Sequence, residues 1–157
     1  MEVTARPAVE ADLPTLAALV ADGIAEAAGQ RGAELWRLEW APRPPFTASL
    51  RHRLTDPAAG TLVGCFDDHV LGALLLDRRQ VTDGPAIARI TFVFVEPEAR
   101  HIGIGEALID AAAAWARSAG CTGLDGLALP GDRHVKNLYE RSGMTARELT
   151  TFRELGP

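Results

Sequence analysis

The chain reads as one mixed α/β domain, and three observations predict this. Its 157 residues, 47% apolar and 24% charged, suit a single compact unit with a real core. Strand-like and helix-like segments follow one another without the regular alternation of a parallel βαβ fold. A glycine pair also joins a β-branched run to an alanine-rich helical segment near residue 104. No repeat, low-complexity stretch or linker divides the chain, so residues 1–157 are one expected domain.

Val3 to Arg6 is a short strand. Asp12 is the expected N-cap of a first helix with Pro14 in its first turn, and Leu13, Leu16, Ala17, Val20 and Ile24 form its apolar stripe. Residues 27–45, with Trp36 and Trp40, read as irregular. A second helix is expected over Phe46 to Leu54, before the Asp56-Pro57 break. Thr61 to Phe66 and Val70 to Leu76 are hairpin strands joined by Asp67-Asp68-His69, and Gln80 to Pro85 is a loop. Ile87 to Val95 is a strand that Pro97 ends, because proline has no N–H to give a ladder. A helix from Gly105 stops near Gly120, a C′ glycine. A strand over Leu124 to Leu129 precedes a helix from Arg133 to Ser142, capped by Asp132 and ended at Gly143. Ala146 to Leu155 is expected as a final strand.

The stretch from Val93 to Glu106, V-F-V-E-P-E-A-R-H-I-G-I-G-E, carries the most chemistry. Glycines before a helix allow close backbone approach, and the free N–H groups of the first turn favour an anion. Arg100 adds a positive charge nearby. A Rossmann loop turns directly from strand to helix; here Glu96 to Ile102 intervene, which argues against that fold.

The run Arg100-His101-Ile102-Gly103-Ile104-Gly105 after Val95-Glu96-Pro97 resembles the acyl-CoA loop of GCN5-related N-acetyltransferases. The opening V-T-A-R-P-A-V-E-A-D-L-P and the segment Leu138-Tyr139-Glu140-Arg141-Ser142-Gly143-Met144 are also similar to that family. The resemblance spans most of the chain, least well over residues 27–60 and at the C-terminus. It implies a twisted sheet of six to seven strands with helices on both faces. It also implies acetyl-CoA as acyl donor, no metal, and direct attack of an amine on the thioester in a ternary complex. Val93, Phe94, Val95, Arg100, His101, Ile102, Gly103, Ile104, Gly105 and Glu106 are the implied cofactor-binding residues. Val93 and Val95 would pair with the pantetheine arm if their strand splays from its neighbour. Tyr139, the only tyrosine, falls where the family has the general acid that protonates the leaving thiolate.

Asp132 stands at the family's pantetheine-binding asparagine and is equally a helix N-cap. Arg133 and Lys136, the only lysine, either pair with phosphates or belong to a solvated face. Arg89 stands where many members carry a glutamate base, and a guanidinium does not deprotonate. The base is therefore expected to act through water, with Glu34, Glu39, His52, Asp83 and Glu96 as candidates. His69 reads as a turn residue and His134 as an exposed one. Trp36, Trp40 and Phe46 either wall an acceptor pocket or pack the N-terminal helices.

A net charge of −5 gives no support for nucleic-acid binding. No run is long enough to span a membrane, no signal-peptide pattern is present, and Cys65 and Cys121 read as small buried hydrophobes, so a cytoplasmic setting is expected. The expected partner is a small-molecule or peptide amine, and both monomer and homodimer suit the chain. The rival reading is a non-catalytic acyl-CoA-binding module; a third keeps the fold and changes the acyl group or the acceptor.

Overall fold

The computed structural model describes residues 1–157. Its strands are β1 (Val3–Pro7), β2 (Ala59–Phe66), β3 (His69–Gln80), β4 (Ala86–Val95) and β5 (Gly123–Gly126); its helices are α1 (Leu13–Ala27), α2 (Ala33–Glu39), α3 (Phe46–Leu54), α4 (Ile104–Ser118) and α5 (Arg133–Arg141). One sheet has the order β1-β2-β3-β4-β5. The first three pairings are antiparallel and β4–β5 is parallel. A two-residue turn at Asp67-Asp68, with Asp67 at φ 52°, links β2 to β3, as the short polar connection predicts.

β3 is apolar on both faces because both are covered. Leu74 and Leu76 join Ile104, Leu108 and Leu138 under α4 and α5, whereas Ala73 and Leu75 join Leu13, Leu16, Val20 and Leu50 under α1 and α3. β4 changes sides part-way. Leu76 pairs with Ile90 and Leu75 with Phe92, so Thr91 is an extra, bulged residue. Ala88 and Ile90 consequently face α4, and Phe92 and Phe94 face α1.

Four expectations are corrected. The sheet has five strands, not six or seven. Residues 146–155 form no strand: the apolar residues there recur every third position, so no single strand face gathers them, and Leu149, Phe152 and Leu155 are exposed. β5 ends at Gly126, three residues early, and the Leu127 N–H makes the last bond to β4. Residues 33–39 form α2, a helix of two turns too short for propensity alone to announce; Trp36 and Trp40, four residues apart, hold it against β4.

Asp12 stands at the N-cap position of α1, as expected, but its side chain makes no cap hydrogen bond. Its carboxylate accepts from both Arg6 terminal nitrogens, at 2.7 and 3.0 Å, and from the Val9 N–H at 2.8 Å. Those bonds hold Asp12 well below the usual carboxylate range, against the opposing effect of its burial.

Candidate acyl-transfer site

The bulge at Thr91 opens a cleft. Up to that point β4 pairs with β5 from Ile87↔Gly123 to Ile90↔Gly126, and the Leu127 N–H donates to the Ile90 carbonyl at 3.0 Å. Beyond it β4 pairs only with β3. The Glu96 N–H donates to the Leu71 carbonyl, which turns the even-numbered residues after the bulge toward β3. By strand alternation Thr91, Val93 and Val95 present their backbone groups to the open edge. The Thr91 carbonyl takes the Trp36 indole N–H at 2.8 Å, and the Val95 carbonyl takes Arg100 Nε at 2.9 Å. Val93 lies between them, half-buried, on the wall of a cavity of about 50 Å³ shared with Leu127, Leu129 and Asp132.

A larger cleft of about 260 Å³ adjoins the N-terminus of α4, lined by Val95, Arg100, His101, Gly103 to Glu106, His134, Leu138 and Arg141. Gly103 caps the helix at φ 97°, a left-handed conformation costly for a side-chain-bearing residue, and an added Cβ would meet nothing within 4 Å. The first intrahelical bond is donated by Ala107 to the Gly103 carbonyl, so the N–H groups of the first turn are available to an anion. Gly105 has a different duty: a Cβ there would sit 2.9 Å from Leu138 Cδ1, so its lack of a side chain lets α4 and α5 touch.

Arg100 is committed more deeply than its place in the motif suggests. One terminal nitrogen lies 2.8 Å from each oxygen of Glu26, and its guanidinium sits 5.4 Å over the Phe94 ring. Phe94 itself is buried in the core. Glu106 pairs with Arg141 at 3.0 Å, and its carboxyl is held below the usual range, the hydrogen bonds to it outweighing burial. His101 and Ile102 are exposed; of the two, only His101 lines the cleft. His134 is half-buried and lines both cavities, unlike the exposed position expected for it. Burial and the neighbouring Arg100 lower its pKa, which favours the neutral imidazole. Arg133 and Lys136 are exposed and line neither cavity. Asp132 caps α5 through the Val135 N–H at 3.2 Å, and it also lines the smaller cavity.

Tyr139 is buried, and its hydroxyl donates to the Leu127 carbonyl at 3.0 Å, where β5 leaves β4. Gly126 makes room for the ring: a Cβ there would lie 2.6 Å from Tyr139 Cζ. Burial pushes the phenol well above the ordinary tyrosine range, so it keeps its proton at neutral pH.

Arg89 is held by Asp125 on the adjacent strand and lies 5.4 Å from the Trp40 ring. None of Glu34, Glu39, His52, Asp83 and Glu96 lines either cavity. Of the titratable groups that line the cavities outside the glycine motif, Asp132 stood out in the sequence, whereas Glu26, His134 and Arg141 did not, because α1, the start of α5 and its end meet only in the fold.

The family model for the acetyltransferase (GNAT) family matches residues 26–144. The chain belongs to that family. Among solved structures, this GNAT chain is similar to a ribosomal-protein-alanine N-acetyltransferase from Brucella melitensis biovar Abortus 2308, with 22% identity, 99% of this chain and 100% of that chain covered, and a TM-score of 0.73. An aminoglycoside 6'-N-acetyltransferase from Acinetobacter baumannii is 18% identical, with 99% of each chain covered and a TM-score of 0.73. A second aminoglycoside 6'-N-acetyltransferase, solved with a CoA-linked bisubstrate analogue, is 17% identical over 100% of both chains, with a TM-score of 0.74. No curated protein matches the chain. No helix of this GNAT domain is long and apolar enough to cross a membrane.

Proposed function

We propose that this GNAT domain transfers an acetyl group from acetyl-CoA to an amine by direct attack in a ternary complex. The observation that carries the reading is the open edge of β4 at Val93 beside the cleft at the α4 N-terminus. Tyr139 lines neither cavity and is buried behind them, its hydroxyl bonded to the carbonyl of Leu127, which lines the smaller one with Val93. A ligand with a pyrophosphate at one end and amides along its length fits both features. Helix N–H groups at Gly103 to Glu106 hold the anion, and the Val93 N–H and C=O pair with an amide as an added strand would. Acetyl-CoA supplies an activated thioester when bound there.

The chain's own residues then do two things. Open-edge N–H groups of β4 polarise the thioester carbonyl while the amine nitrogen bonds to its carbon. As the carbon–sulfur bond breaks, Tyr139 gives its proton to the sulfur. The raised phenol keeps its proton at neutral pH until the thiolate forms. The amine's surplus proton leaves through water, since Arg89 occupies the position of a direct base and stays charged in its pair with Asp125. Neither cysteine lines either cavity, which gives no support to a covalent acyl-enzyme.

Arg89 also favours a second reading, a module that binds acyl-CoA without turnover. Thiol release from acetyl-CoA over a panel of amines, including an aminoglycoside and an N-terminal alanine peptide, separates the two. Amine-dependent release supports the transferase; tight binding with no release for any amine supports the module.

A further inference from the structure

Trp36 packs against the core and also reaches the cleft. Its ring stacks on Phe92, with centroids 6.3 Å apart and planes 16° from parallel. Its indole N–H donates to the carbonyl of Thr91, the bulge residue, which is only 3% exposed. That carbonyl faces the β5 side. On the same edge the preceding carbonyl, Ile90, already takes the Leu127 N–H. Continuing the parallel ladder by one step would bring the Leu129 N–H to Thr91. The Trp36 indole holds that acceptor instead, and a buried carbonyl left without any donor is costly. Trp36, Thr91, Val93, Leu127 and Leu129 all line the same cavity.

We infer that Trp36 is a positioning residue for the acyl donor: its indole N–H caps the Thr91 carbonyl, keeps residues 128–129 off β4, and so leaves Val93 open to the pantetheine arm. The inference rests on the acetyl-CoA reading above. It gives a residue of α2, a helix with no phosphate or catalytic role, control over the depth of the cleft.

The test is Trp36→Phe, which keeps a ring on Phe92 and removes the N–H donor along with the second ring of the indole; comparing two ligands separates the two losses. In the ligand-free variant, amide exchange at Leu129 slows as the freed Thr91 carbonyl recruits that N–H. In calorimetry, affinity for acetyl-CoA falls about five- to tenfold, the scale of one lost hydrogen bond. Affinity for the nucleotide half of coenzyme A, which lacks the pantetheine arm, stays at the wild-type value. Unchanged exchange at Leu129 overturns the inference, as does an equal loss of affinity for both ligands, which would mark Trp36 as a packing residue only. Failure of the acetyl-CoA reading shows itself separately, as wild-type protein that binds neither ligand; the exchange measurement still decides the role of Trp36 in that case.

Discussion

Arg89 meets Asp125 side-on across the parallel pair β4–β5, with Nε to Oδ1 at 3.1 Å and Nη2 to Oδ2 at 3.0 Å. Arg79 adds a third bond to the same carboxylate at 2.8 Å. Burial alone would raise the Asp125 pKa, but the two arginines outweigh it and hold the carboxyl below its usual range. A carboxylate depressed in the folded state contributes stability above its unfolded value, about pH 4, and loses it as pH falls through the folded value. Asp125→Asn is therefore expected to melt earlier than wild type at pH 7, with the gap closing below about pH 4. Thermal melts across that range check this, and a gap independent of pH would remove the ion pairs from the explanation.

Tyr139→Phe removes one hydroxyl from a packed site. The lost bond to the Leu127 carbonyl should cost about 1 kcal/mol of stability. Acetyl-CoA affinity should hold, while turnover falls about a hundred- to ten-thousand-fold, the usual reach of general acid catalysis. Because burial raises the phenol, wild-type turnover should show no basic limb from this group at or below about pH 10. Steady-state thiol release across pH measures both effects; wild-type turnover in the variant would leave Tyr139 as a packing residue.

The two loop glycines should fail differently. Gly103→Ala puts a side chain at φ 97° in open space, costing about 1–2 kcal/mol in backbone strain and weakening coenzyme A binding. Gly105→Val drives a side chain into Leu138, next to Tyr139, and should cost about 1–3 kcal/mol by overpacking. The motif alone leads one to expect loss of binding with an intact fold from either change. Melting curves alongside calorimetry decide, and equal stabilities for the two variants would contradict the packing role assigned to Gly105.

Glu26 pairs with Arg100 at 2.8 Å, so on the acetyl-CoA reading it would compete with the cofactor's phosphates for that guanidinium. Glu26→Gln is expected to tighten acetyl-CoA binding about two- to fivefold at low salt, with the gain shrinking as salt screens the charges. Calorimetry at two ionic strengths tests it. Weaker binding in the variant would mean that the pair serves to orient Arg100 and does not compete.

Local signals made much of this molecule legible. Proline and glycine punctuation marked the strand before the loop and the α4 and α5 boundaries, because those residues restrict or free the backbone wherever they stand. The hairpin turn and the Asp132 cap are likewise chemistry between near neighbours. The glycine motif and Tyr139 pointed to a candidate acyl-CoA site through family resemblance, without showing how they are arranged. Tertiary structure decided the rest. The Thr91 bulge depends on register between β3 and β4, which no single strand encodes, and it determines which backbone groups of β4 face the cleft. Glu26 reaches Arg100 across 74 positions, and Trp36 reaches Thr91 across 55. Arg89 was legible as a departure from a catalytic pattern, but its partner Asp125, 36 residues later, was not. Such pairs form only once the sheet and its two helical layers have packed, since the free energy that holds a polar side chain in place comes from neighbours that folding brings together.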